Sequence, residues 1–296
     1  MANIGVEVMD APRFLQAMAT FLDLLSENEQ VINDLNVYPV PDSDTGTNSL
    51  GTMRAGLANI DMAVTHSGTR DLAHVANLVA VGASTGASGN SGVILAEYLS
   101  GLSSAVTNQA TSLQWSQALT AGSTSARAAV LTPAEGTMLT VADAACEVTP
   151  DLDFAIYYSN IQLAVRSALA RTQELLPELR AAQVVDAGGV VIALLHEAFA
   201  IALGVDGSSL DIIPRAHKLA STYAGPEFEV MFAAKCDEDA RKLLETQLQK
   251  LGESIAVTGI TPNLTFHIHC DDPQSVLLHS EKLAEISDFR IANLGI

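Results

Sequence analysis

Two carboxylates one residue apart, in a loop stiffened by proline, are the residues best placed for chemistry in this chain. Asp42 and Asp44 lie in NVYPVPDSDTGTNSLGTM, residues 36–53, behind Pro39 and Pro41. Proline fixes φ, so the backbone that presents the two acids is restricted. Carboxylates held this way suit Mg2+, a hard ion that takes oxygen ligands and keeps waters or substrate phosphates in the rest of its shell. Asn36, at the other end of the loop, could add a carbonyl oxygen. An EF-hand does not fit, because counting from Asp42 puts Gly46 and Met53 where an oxygen ligand and a glutamate are needed. The plainer alternative is an Asx-turn running into a helix N-cap. Thr45, Gly46, Thr47 and Asn48 follow at the start of a helical pattern. Free N–H groups at a helix N-terminus, with hydroxyls beside them, bind phosphate oxygens. Metal ligands next to an anion site would suit a nucleotide–Mg2+ complex better than either alone.

Three further glycine-bearing stretches also open helices. GASTGASGNSG, residues 82–92, leads into VILAEYL, and its small residues could let a phosphate approach the backbone, or merely let two helices turn tightly. It lacks the lysine of a Walker A loop and no strand precedes it. In PAEGTMLTVADAA, Gly136, Thr137 and Met138 could face an adenine. In VVDAGGVVIALL, Asp186, followed by Gly188, could meet a ribose or a metal, or simply cap the helix. Arg171 is a candidate phosphate clamp, a helix-surface arginine being the commoner reading. Towards the C-terminus, His267 and His269 sit two apart on a strand pattern and so share a face. They could be half of a zinc site with Cys236 or Asp271 as a third ligand, or two half-buried histidines.

Composition narrows the classes. The formal net charge is -19 with a pI near 4.5, which argues against nucleic acid as a partner. Residues 1–210 hold 21 Asp or Glu against 7 basic residues, all arginine, and the first lysine is Lys218. A nucleotide bound in that part cannot rest on a Walker A or protein-kinase lysine. Its charge must be met by metal ions, backbone N–H groups and a few arginines. Apolar residues make up 48% and charged residues 17%, a globular composition, and no apolar run approaches a membrane span. The N-terminus reads as no signal peptide, and Cys146, Cys236 and Cys270 are too few for a disulfide framework. The expectation is a cytoplasmic protein. A homodimer is compatible with the long apolar helices but is not demanded by them.

The elements that must position these residues follow from periodicity. Phe14, Leu15, Met18, Phe21, Leu22 and Leu25 form a helical stripe after Asp10 as N-cap and Pro12 in the first turn. Further stripes run through Leu50–Ile60 and Leu72–Val79, with helices at about 91–104, 112–131, 137–148, 152–177 and 188–204. That predicts eight antiparallel helices and an all-α domain over 1–204. LGVDGSSLDIIPRA, residues 203–216, reads as the boundary. Beyond it, over 205–296, the order β-α-β-β-α-β predicts a small ferredoxin-like α/β sandwich, with one helix running to Gly252.

Taken together, NVYPVPDSDTGTN, GASGNSGVIL, PAEGTMLT and ARTQELLPELRAAQVVDAGG resemble, in order, the loops of the ATP-binding subunit of fatty acid kinase. Its N-terminal domain is similar to the L subunit of dihydroxyacetone (glycerone) kinase. The segment PEFEV through NLTFHIHCDDP resembles the middle domain of the fatty acid kinase subunit. The resemblance implies an eight-helix barrel binding ATP or ADP with two Mg2+ ions on Asp42 and Asp44, with Asn36 near a further family aspartate. It implies phosphates along Thr45 to Asn48 and Asn90-Ser91, adenine at Gly136 to Met138, closure by Asp186 to Gly188, and Arg171 touching the nucleotide. His267 and His269 match the histidines of a middle-domain zinc site. Ser43 stands where the family usually has glycine, Gly225 where its middle domain has a cysteine, and the likeness stops before the family's large C-terminal domain. The expected activity is phosphoryl transfer from ATP to a fatty acid presented by an acyl-carrier (fatty-acid-binding) protein. The alternatives are a dihydroxyacetone kinase subunit, working with its dihydroxyacetone-binding partner and ADP as cofactor, and a non-catalytic nucleotide sensor or scaffold.

Overall fold

The chain enters its first helix as its sequence predicts. A computed structural model describes residues 8–64, 71–205 and 225–294. A two-residue strand β1, Val8–Met9, precedes α1, Ala11–Leu35, where the Asp10 carboxylate accepts from the backbone N–H of Arg13 at 3.0 Å. Then come α2 (Thr45–Val64), α3 (Leu72–Gly86), α4 (Gly89–Ala105), strand β2 (Ala110–Thr111) and α5 (Ser112–Ala129). They are followed by α6 (Met138–Cys146), α7 (Phe154–Leu175), α8 (Pro177–Ala182) and α9 (Ala187–Ala202). Two details depart from the expected eight strand-free helices. β1 pairs antiparallel with β2, both too short to show a period-2 pattern, and a short extra helix follows the one expected over 152–177. Pro177, which has no N–H to donate, stops α7 and begins the short α8. The expected boundary segment lies outside the described residues beyond Val205.

Helices adjacent in the chain pack together from α1 to α7, and α7 packs on α9, which returns to α1. α9 is buried along nearly its whole length, from Ala187 to Ala202. Although aromatics are only 5% of the chain, Phe14, Tyr98, Trp115, Phe154, Tyr157, Tyr158 and Phe199 gather in this one interior. The Trp115 indole N–H donates to the Tyr158 hydroxyl at 2.6 Å, which satisfies a donor that would otherwise be stranded. His196 of α9 is fully buried among them, with its Nδ1 lacking a partner.

Burial pushes the His196 imidazole down to about 4. Between the unfolded value near 6.5 and that folded value, the unfolded chain binds the extra proton, so stability falls as pH falls through this window. Replacing His196 by Phe should remove up to about 3 kcal/mol of that acid sensitivity. Urea titrations at pH 7 and pH 4.5 measure it. Equal pH slopes in wild type and His196→Phe would show that the histidine does not stay neutral on acidification.

The C-terminal part runs β3 (Phe228–Lys235), α10 (Glu238–Leu248), β4 (Gly252–Ile260), β5 (Asn263–Cys270), α11 (Pro273–Ser280) and β6 (Glu285–Asn293). The sheet order is β4-β5-β3-β6, with every neighbouring pair antiparallel. α10 stops earlier than expected. Gly252 begins β4 instead of ending the helix, and the ladder needs glycine there, since a Cβ would lie 2.0 Å from the His269 carbonyl. Alternation sends Val230, Phe232, Phe266 and Ile268 into a core beneath α10 and α11. The opposite face turns towards the helical domain. There Glu97 of α4 accepts from the Thr258 hydroxyl at 2.5 Å and from Gly259 N–H at 3.0 Å, and Leu131 N–H donates to the Ile255 carbonyl at 3.2 Å.

Candidate nucleotide and metal site

A cavity of about 670 Å3 lies where the two parts meet. That is within the size range of small-molecule sites. From the helical domain it takes Asn36, Asp42, Asp44 and Thr45, then Gly89, Asn90 and Ser91, then Thr137 and Met138, then Asp186 and Gly188. The first turns of α2, α4, α6 and α9 therefore converge on one space. Of the residues singled out in the sequence, Gly46, Thr47, Asn48, Gly136 and Arg171 are not in its lining. Arg171 is exposed on α7, and Gly136 underlies the site with φ 86, its N–H donating to the Thr140 hydroxyl.

The aspartate loop is braced from behind. The Asn36 carboxamide oxygen accepts from both the backbone N–H and the hydroxyl of Thr45, and its Nδ2 donates to the Val40 carbonyl at 2.5 Å. Asn36 thus holds the loop closed, and its oxygen is already engaged. Asn33 of α1 does the same for the next turn, accepting from Gly46 N–H at 2.7 Å and Thr47 N–H at 3.2 Å. The N–H groups of α2 expected to face phosphate are consequently capped by α1. The α4 N-terminus differs. Ser88 makes no side-chain cap, so the N–H groups of this 17-residue helix have no capping side chain where Gly89, Asn90 and Ser91 line the cavity. Gly89 sits at φ 60 with the Asn48 amide so close that a Cβ would be 2.2 Å from its nitrogen. The rest of the glycine-rich stretch does another job, since a Cβ on Gly82 would meet the Ala55 carbonyl at 2.5 Å, where α3 crosses α2.

Ser43, between the two aspartates, has φ 58. That left-handed conformation favours glycine and is held here by a serine. Asp42 and Asp44 are both pushed above the ordinary carboxylate range, first by burial and, for Asp42, then by the charge of its neighbour. Asp186, 5% exposed, rises to about 7 through burial, opposed by the N–H groups of Gly189 and Met138. Its carboxylate caps α9 by accepting from Gly189 N–H at 2.6 Å, as the plainer reading expects, while the residue also lines the cavity.

The remaining wall comes from the C-terminal domain: Glu229, Gly252, Glu253, Ser254, His267 and His269. The register sets Glu229 opposite His269, and Glu229, His267 and His269 have ligand atoms within 4.8 Å of one another. Asp42, Asp44 and Glu229 meet the same criterion. Cys236 does not join the histidines, because it lies at the far end of β3 in the sheet's helix-covered core, and Asp271 accepts from Glu227 N–H. Glu229, Glu178 and Glu253 line the cavity without standing out in any sequence motif. Among the described residues lining the cavity there are six carboxylates (Asp42, Asp44, Glu178, Asp186, Glu229, Glu253) and no lysine or arginine. Buried Asp42 Oδ1, His267 Nε2 and His269 Nδ1 have no hydrogen-bond partner. Unpartnered buried polar atoms beside a wall whose described residues include six carboxylates and no lysine or arginine fit bound divalent cations.

The DAK2 domain family matches residues 39–201, more than half of the chain, and the chain belongs to it. Residues 225–296 match the middle domain of the FakA-like, or fatty acid kinase-like, family, so both halves of the resemblance read from the sequence are borne out. Protein YloV of Bacillus subtilis is 29% identical over 316 residues, covering 98% of this chain and 56% of that protein. Uncharacterized protein SSP1546 of Staphylococcus saprophyticus is 28% identical over 313 residues, with the same coverage of 98% and 56%. The chain spans about half the length of these curated relatives. The class so defined is kinase-associated. Among the described residues no helix is long and apolar enough to cross a membrane.

Proposed function

We propose that the chain is the nucleotide-binding part of an ATP- and Mg2+-dependent phosphotransferase that passes the γ-phosphoryl group to a fatty-acid carboxylate presented by a carrier protein. The observation that carries this is one cavity in which the uncapped N-terminus of α4 faces the Asp42–Asp44 pair. A divalent cation held by Asp42 and Asp44 would supply the positive charge that the β,γ-phosphates need. The chain's own residues do the rest. The α4 N–H groups at Gly89 to Ser91 orient phosphate oxygens, and Thr137, Met138 and Gly188 flank the base and ribose. The C-terminal sheet covers the site against water. A carboxylate acceptor is already ionised at neutral pH and needs no general base. On this reading residues 1–204 form the family's eight-helix barrel, and 205–296 a ferredoxin-like middle domain that closes over it. His267 and His269 are the zinc-type ligands of that domain.

Calorimetry with ATP and Mg2+ tests the site. Asp42→Ala should weaken binding by about tenfold or more, through loss of a metal ligand. A variant that binds as tightly as wild type would remove Asp42 from the site. Turnover with a fatty-acid-loaded carrier protein, compared with dihydroxyacetone on its own binding subunit, chooses the acceptor.

A further inference from the structure

Glu229 belongs to two groups of potential metal ligands at once. Its carboxylate is within 4.8 Å of the ligand atoms of Asp42 and Asp44 on one side, and of His267 and His269 on the other. The two sides differ in chemistry. Asp42, Asp44 and Glu229 offer only oxygen, as Mg2+ or Mn2+ prefer, whereas Glu229, His267 and His269 form the His2Glu set that holds zinc.

The hydrogen bonding around the imidazoles is that of a ligand set. His267 Nδ1 lies 3.1 Å from the Ser254 carbonyl, which can only accept, so Nδ1 carries a proton. In the neutral ring Nε2 then presents a lone pair, 3.4 Å from Glu229 Oε1. A lone pair aimed at a carboxylate is repulsive unless a cation or a proton lies between them. Fixing the metal-facing nitrogen through a hydrogen bond on the other one is how ligating histidines are oriented. His267 and His269 are 1% and 3% exposed, and His267 Nε2, His269 Nδ1 and Asp42 Oδ1 have no hydrogen-bond partner. Three buried polar atoms without a hydrogen-bond partner thus surround one shared carboxylate. The two halves are held in register by Glu97, which binds Thr258 and Gly259, and by the bridge between Val130 and Ala256.

We propose that Glu229 is a bridging ligand that joins the two groups into one binuclear divalent-metal centre spanning the two domains. The centre rests on the reading of Asp42 and Asp44 as metal ligands. Occupancy at the histidine end then tunes the carboxylate end through the shared group. Filling the centre also ties the middle domain to the kinase domain.

The test uses the whole chain stripped of metal and titrated without nucleotide, with Mn2+ for the oxygen end and Zn2+ for the histidine end. Calorimetry gives affinity and metal analysis after dialysis gives stoichiometry. Wild type should hold two ions. Asp42→Ala should weaken Mn2+ alone, His267→Ala should weaken Zn2+ alone, and Glu229→Gln should weaken both by about tenfold or more. Glu229→Gln that loses only one metal, or neither, overturns the bridge. A measurement on wild type guards against a variant that misfolds: preloading with Zn2+ should shift Mn2+ affinity severalfold, and an unchanged value also overturns it. These titrations contain no nucleotide, so failure of ATP to bind would sink the kinase reading and leave the result on Glu229 intact.

Discussion

Chelating divalent cations should weaken ATP binding to this protein by about a thousandfold or more. The cavity wall carries six carboxylates and, among the described residues, neither lysine nor arginine. Two like charges about 6 Å apart in an effective dielectric of about 20 repel by roughly 3 kcal/mol. A bare triphosphate beside only two ionised carboxylates therefore faces a penalty larger than the 1–2 kcal/mol or so that a helix N-terminus returns. On the proposed reading the α4 N-terminus would orient phosphate but cannot outweigh that repulsion. With no lysine or arginine among the described residues lining the proposed nucleotide site, almost no affinity should survive in EDTA. Fluorescence titration of a nucleotide analogue, in Mg2+ and then in EDTA, measures the ratio. Affinity surviving EDTA to within tenfold would mean that a cation of the protein reaches the phosphates, and the metal-based reading would fall.

The parts of this arrangement that were legible in the sequence are the ones set by local physics. Asp10 before Pro12 predicts the start of α1, and the period-2 pattern of EFEVMF predicts β3, because each depends on residues a few positions apart. The paired aspartates and the first turns at Asn90, Thr137 and Asp186 were legible for the same reason, and the structure brings them to one cavity. What escaped depends on distant partners. Thr45 to Thr47 have the residue types of a phosphate-binding turn, but their N–H groups are taken by Asn33 and Asn36, on elements that only the fold brings near. Glu229 lies on the strand face away from the Val230–Phe232 core, which its parity does show. That it stands opposite His269 depends on the register of β3 against β5, and that it meets Asp42 depends on how the sheet docks. Neither can be read from a period. The pairing of β1 with β2 is hidden likewise, because two residues have no pattern.

Gly46→Ala should destabilise the protein by about 3 kcal/mol or more, whereas Gly51→Ala, five residues along the same helix, should be neutral or slightly stabilising. The two glycines have the same helical propensity defect, near 1 kcal/mol relative to alanine. They differ in what a Cβ would meet. At Gly46 it would lie 2.4 Å from the Glu29 carbonyl oxygen and 2.9 Å from Asn33 Oδ1, and at Gly51 nothing lies within 4 Å. The first obstacle is backbone inside α1, which cannot rotate away, so α1 and α2 must separate. That separation breaks the Asn33 bonds to Gly46 and Thr47 and strands buried groups. For a chain of this size the melting temperature should drop by roughly 6–12 °C. Metal affinity should weaken with it, because the turn carrying Asp44 loses its brace. The experiment also decides what Gly46 is for. If glycine were needed there only to admit a phosphate, Gly46→Ala would lose ATP affinity and melt with wild type. If it is needed to let α2 lie against α1, the melting temperature falls before any nucleotide is added.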